Sequence, residues 1–146
     1  MAEQTVVDTN KDIARDYVER VFNQHQPDAA TDFVTPDVVW HGGILGDVVG
    51  AENVTGMLRA FPGPLEDLRA EEQDAIGEGD LVMLRLVVTA RQQGDLLGVP
   101  GTGRAIRWNA VDIYRITDGR IGEEWAADDA ADIMYQLGAF SLPWAN

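Results

Sequence analysis

Three strand-patterned runs follow one another in the second half of the chain, and turns too tight for anything but antiparallel pairing bound them. Leu81–Arg91, Ala105–Ile116 and Arg120–Ala126 are rich in apolar and β-branched residues, and a weaker, more polar run from Leu68 to about Gly77 precedes them. Gly79-Asp80 and Asp118-Gly119 supply the hairpin turns. A parallel neighbour needs a crossover of a dozen residues or more, and these junctions leave no room for one. The longer Gln92–Arg104 connection, with Gly94, Gly98, Gly101, Gly103 and Pro100, reads as a reshaped hairpin loop.

The first half reads as helices around one strand. Ile13, Ala14, Tyr17, Val18, Val21 and Phe22 recur at helical spacing, with Asp8, Thr9 or Asn10 available as N-cap. A short helical piece follows over Pro27–Phe33, then a strand over Val38–His41 stopped by Gly42-Gly43. Val54, Met57, Leu58 and Phe61 define a second helix ended by Pro62-Gly63-Pro64, and Asp128–Leu137 a last one ended by Gly138. This order predicts an α+β fold in which a curved antiparallel sheet wraps around helices, not a doubly wound parallel sheet. No repeat or linker divides the chain, so residues 1–146 are expected to form a single domain.

At 146 residues such a domain can bury a real core and still enclose a cavity. The formal net charge of −14 sets its surface against nucleic-acid phosphates and anionic membranes and suits a neutral, apolar ligand. Cysteine is absent, which excludes disulfides, thiol catalysis and zinc-thiolate sites. The opening residues lack the pattern of a secretory leader and no apolar run is long enough to span a bilayer, so a cytoplasmic protein is expected. No phosphate-binding glycine motif or metal-ligand spacing is present, and neither metal nor cofactor is expected.

Alternation places Trp108, Ala110, Asp112 and Tyr114 on one face of their strand and Arg107, Asn109, Val111, Ile113 and Arg115 on the other. Glu124 and Ala126 likewise share a face of the last strand, and if that face and the one bearing Asp112 both turn inward, the two carboxyls approach each other. Two carboxyls in a poorly hydrated space do not both stay ionised, and one would serve as base and the other as acid. The competing reading makes Asp112 an ion-paired sheet residue, bonded to Arg85 or Arg107. His41, at the end of the first strand, has the pKa to hold a phenolate or exchange a proton at a cavity edge. Trp40 and Trp108 offer flat faces for an aromatic ligand, and Met57 and Phe61 would close the cavity from a helix. His25 is expected to be exposed and inert.

Four segments carry a family resemblance: Trp40-His41-Gly42-Gly43, Gly98-Val99-Pro100-Gly101-Thr102-Gly103-Arg104, Asp118-Gly119-Arg120-Ile121-Gly122-Glu123-Glu124-Trp125, and Gln136-Leu137-Gly138. Together they resemble the SnoaL-like polyketide cyclases, a branch of the fold shared with nuclear transport factor two and ketosteroid isomerase. The resemblance implies a conical α+β barrel with an internal apolar cavity, no metal or organic cofactor, and tailoring of a polycyclic aromatic polyketide. Its default reaction is ring closure by an intramolecular aldol step. The alternative branch hydroxylates an anthracycline-type ring carbon with a reductase partner. A third reading is a non-catalytic binding or assembly module.

The family's catalytic aspartate follows the tryptophan of Glu123-Glu124-Trp125, where this chain has Ala126, and another family position, often histidine, falls at Asp112. The expected catalytic set is therefore Asp112, Glu124 and His41, with Trp40, Trp108, Tyr114, Ala126, Met57 and Phe61 contacting substrate. Val111 and Ile113, on the opposite sheet face, suggest a homodimer.

Overall fold

In the computed structural model, which describes residues 4–145, α1 (Val6–Val18) passes into a π turn (Glu19–Asn23), and a 3-10 turn (Pro27–Asp32) leads to β1 (Val34–His41). A short 3-10 turn (Gly43–Leu45), β2 (Asp47–Val49) and α2 (Ala51–Ala60) follow. The remaining strands are β3 (Leu65–Glu78), β4 (Leu81–Gln92), β5 (Ala105–Thr117) and β6 (Arg120–Asp128), and α3 (Ala130–Gln136) comes last. The strands form one six-stranded sheet in the order β2-β1-β6-β5-β4-β3.

β3 to β6 are antiparallel neighbours joined by the expected hairpins. Positive φ at Gly79, Asp118 and Gly119 meets the turn geometry those junctions require. The wholly antiparallel expectation fails at one pairing: β1 lies parallel to β6, Trp40 opposite Glu124. Everything from β2 to β5 separates these strands in sequence, so no local turn signal marks the pair. Register shifts in β3, between Arg115 and Ile116, and within the β1–β6 pair bend the sheet.

The concave face carries the alternate residues Val82, Leu84, Leu86 and Val88 of β4 and Ile106, Trp108, Ala110 and Tyr114 of β5, all buried. They pack with Ala14, Tyr17, Val18 and Val21 of the first helical segment and Val54 and Leu58 of α2 in a continuous apolar cluster. Thr5, not Asp8, Thr9 or Asn10, caps α1, its hydroxyl accepting the Asp8 N–H at 3.0 Å. The helix thus starts earlier than its apolar spacing shows, because its first turn is exposed. Among the described residues no helix is long and apolar enough to cross a membrane.

Candidate active site

Between the concave sheet face and α2 lies an apolar cavity of about 430 Å³, within the range of small-molecule sites. Trp40 of β1, Met57 of α2, Phe61 just beyond it, Trp108 of β5 and Ala126 of β6 line it as expected. Leu45 and Val48 form part of the wall near β2. Asp95, Leu96 and Leu97 reach the cavity from the glycine-rich loop. Trp40 packs against Gly42, where an added Cβ would come 2.1 Å from its ring, so a glycine is needed beside it.

Besides Asp95 of the loop, three carboxyl groups carried by the sheet line this cavity: Asp112, Glu124 and Asp128. Asp112 is 8% exposed and Glu124 5%. The Tyr114 hydroxyl donates to Asp112 Oδ2 at 3.3 Å, while Asp112 Oδ1 is buried without a partner. Burial first, and then the neighbouring Asp128 charge, push the Asp112 carboxyl up to about 8. Burial raises Glu124 well above the carboxylate range, with Asp112 and Asp128 adding to it. Burial also raises Asp128, but the Trp108 indole N–H donates to its Oδ1 at 2.8 Å and stabilises the charged form. At neutral pH, then, Asp112 is mainly protonated. Each acid has one donor that lowers it, Tyr114 for Asp112, Trp40 for Glu124 and Trp108 for Asp128, and Asp128, half-buried where the other two are buried, is the one best able to carry charge.

Asp128 was not expected in the site. The strand pattern of the sequence ends at Ala126, and Asp128 falls in the helix expected after it. β6 instead continues through Asp128, which pairs with Ala110, and alternation then places Glu124, Ala126 and Asp128 on the cavity wall. Extending the two-residue period by one step would have found it. The ion-pair alternative for Asp112 does not hold: Arg85 bonds Asp74 at 2.6 Å, and Arg107 is exposed on the opposite face of β5.

Two expected site residues stand elsewhere. His41 follows Trp40 on β1 and so points to the outer face, away from the cavity. Its Nδ1 lies 3.0 Å from Asp47 Oδ1 and its Nε2 2.7 Å from Glu123 Oε2, and its ring stacks on Trp125 at 5.4 Å. The bonds to Glu123 and then Asp47 raise its pKa. Tyr114 is fully buried behind Asp112, edge-on to Tyr17 at 5.9 Å, and supports that carboxyl without lining the cavity. His25 is exposed, as expected, and its Nε2 bonds the Leu68 carbonyl at 2.9 Å.

The other resemblance motifs have structural roles. The Gln136 side chain accepts from the Arg107 N–H at 3.0 Å and donates to the Arg107 carbonyl, fastening α3 to β5. Arg104 donates to the Gln136 main-chain carbonyl. Among the described residues no three His, Asp or Glu side chains are grouped so as to hold a metal ion.

A curved sheet that closes an acid-bearing apolar pocket against its helices is the arrangement of a small-molecule site. Residues 12–137 match the SnoaL-like polyketide cyclase family, and the chain belongs to it. The aklanonic acid methyl ester cyclase DnrD of Streptomyces peucetius is 30% identical over 142 residues, covering 93% of this chain and 93% of the relative. The nogalonic acid methyl ester cyclase of Streptomyces nogalater is 30% identical over 115 residues, 79% of this chain and 81% of that one. The crystal structure of AclR from Streptomyces galilaeus, a candidate hydroxylase, superposes with a TM-score of 0.82 at 24% identity, covering 92% of this chain and 99% of that one. That likeness is one of fold.

Proposed function

We propose that this cyclase closes a ring in a neutral polycyclic aromatic polyketide by intramolecular aldol addition, with Asp128 as base and Asp112 as acid. The observation that carries the reading is Asp112 Oδ1, a buried and unpartnered carboxyl oxygen on the wall of an apolar pocket that also holds Asp128. A buried polar atom without a partner costs about 1–3 kcal/mol, and a substrate oxygen placed there removes that cost.

The Asp128 carboxylate takes a proton from the carbon next to a substrate carbonyl. The resulting enolate carbon attacks a ketone carbon of the same molecule, forming the new C–C bond as the ketone π bond opens. The developing alkoxide takes the proton of Asp112, and return of the abstracted proton to Asp112 restores both groups. Substrate and product are isomers. Each positioned proton transfer is worth about 100-fold or more. Two curated relatives act on methyl esters of polyketide acids. A neutral ester also suits a pocket whose own titrating groups are acids, since a free carboxylate would be repelled.

Incubation with methyl esters of aromatic polyketide acids, with and without oxygen, tests this. The expected result is an anaerobic product of unchanged mass, lost in Asp128→Asn; no such product with any substrate of the class overturns the reading. Ala126 favours a second reading, because the residue directly after Trp125 is not an acid. In that case one atom of dioxygen enters a ring carbon, and two electrons from a reductase partner reduce the other to water; oxygen uptake and a heavier product would identify it.

We also infer a homodimer through the outer sheet face, where Val111 and Ile113 are only half-buried by this chain. Sedimentation of Ile113→Asp as a monomer, against a wild-type dimer, supports the inference; a wild-type monomer refutes it.

A further inference from the structure

A second hollow, an open groove of about 400 Å³, lies beyond one wall of the cavity, and Phe22, Leu58 and Leu68 line both spaces. Leu58 and Leu68 are buried core residues of α2 and β3. Phe22 is different: it is half-buried, stands in the π turn, and meets Tyr17 edge-on at 6.1 Å and 89°. The π turn closes with the Gln24 N–H donating to the Glu19 carbonyl at 2.8 Å. Such a turn takes more residues than an α turn, which changes the direction Phe22 would have on a continued α1, and π turns recur at functional sites.

The segments flanking the groove are also unusual. His25 and Asp67, both lining it, have φ of +55° and +54°, a region that L-residues rarely adopt. The His25 bond to the Leu68 carbonyl ties the exit of the π turn to the strand that forms the wall.

We propose that Phe22 is a specificity-determining residue: its ring closes the cavity and limits the length of the ligand, and the groove behind it is the space a longer substituent would occupy. The proposal rests on the reading of the cavity as the polycycle site. Phe22→Ala removes the ring while leaving Leu58, Leu68 and the three acids in place.

Hydroxyanthraquinones carrying n-alkyl substituents from methyl to hexyl are the probes, with binding followed by quenching of Trp40 and Trp108 fluorescence. Each methylene newly removed from water contributes about fourfold in affinity. Wild-type affinity is therefore expected to fall once the chain meets Phe22. In Phe22→Ala the methyl compound should bind more weakly, and the longest at least about tenfold more tightly than in the wild type. Phe22→Leu, which keeps an apolar side chain in the wall and guards against a folding defect, should shift the cut-off partway. The same length profile in all three proteins overturns this proposal alone, and no binding of any member to any of them overturns the cavity reading with it.

Discussion

Replacing Asp112 by Asn should make the protein more stable while removing its activity. Asp112 titrates near 8 in the folded protein and near 3.8 when unfolded, so the stability attached to its proton is complete below about 3.8 and is lost as pH rises towards 8. At pH 7 about three pH units of this linkage have been traversed, at 1.36 kcal/mol per unit, so the wild type has given up about 4 kcal/mol relative to a side chain that stays neutral. Asn has nearly the same shape, stays neutral, and can still accept the Tyr114 hydroxyl. Against a typical domain stability of about 5–15 kcal/mol, a gain of even half that size is large.

Urea unfolding of both proteins at about pH 5 and about pH 8.5 reads it directly. The advantage of Asp112→Asn should be about 1 kcal/mol at the lower pH and reach about 3–6 kcal/mol at the higher one. Equal stability of the two proteins at both pH values, or a wild type that is the more stable at the higher one, would refute a carboxyl held neutral by burial.

The same groups set the pH profile of the reaction. kcat/KM should rise as Asp128 ionises above the ordinary carboxylate range and fall as Asp112 loses its proton near 8, a bell that Asp128→Asn abolishes. His41 stands outside the cavity, so His41→Asn should change kcat by less than about threefold, far from the 100-fold loss expected of a catalytic base. It should nonetheless lower stability, most clearly in acid: His41 has a raised pKa, and its contribution is full below its ordinary 6.5 and is lost as pH rises above that.

Strand alternation carried much of this site into view. From Trp108 to Tyr114 a period of two separates cavity from exterior, and the structure follows it through Ala110 and Asp112. The same rule applied past Ala126 reaches Asp128, but Asp128 reads as the first residue of the last helix, whereas α3 begins only after its cap, Asp129. His41 was misplaced because the Trp40-His41-Gly42 segment was read as a cavity edge, whereas neighbouring residues of a strand face opposite ways. Which way it turns depends on the parallel β1–β6 pairing, a contact between segments far apart in sequence. The π turn that presents Phe22 has no mark in the sequence, because Val18, Val21 and Phe22 fit ordinary helical spacing equally well. Tyr114 shared the face of Asp112 correctly, but alternation gives direction and not depth, and Tyr17 fills the space in front of it.

The account depends on a protonated Asp112 and an ionised Asp128 sharing one apolar cavity at neutral pH. Carbon-13 NMR titration of the aspartate side-chain carboxyls, assigned with Asp112→Asn and Asp128→Asn, measures this directly. The predicted result is one resonance with a midpoint near 8 that vanishes with Asp112, and a second, with a lower midpoint, that vanishes with Asp128. Two midpoints in the ordinary carboxylate range, or Asp128 titrating above Asp112, would contradict it.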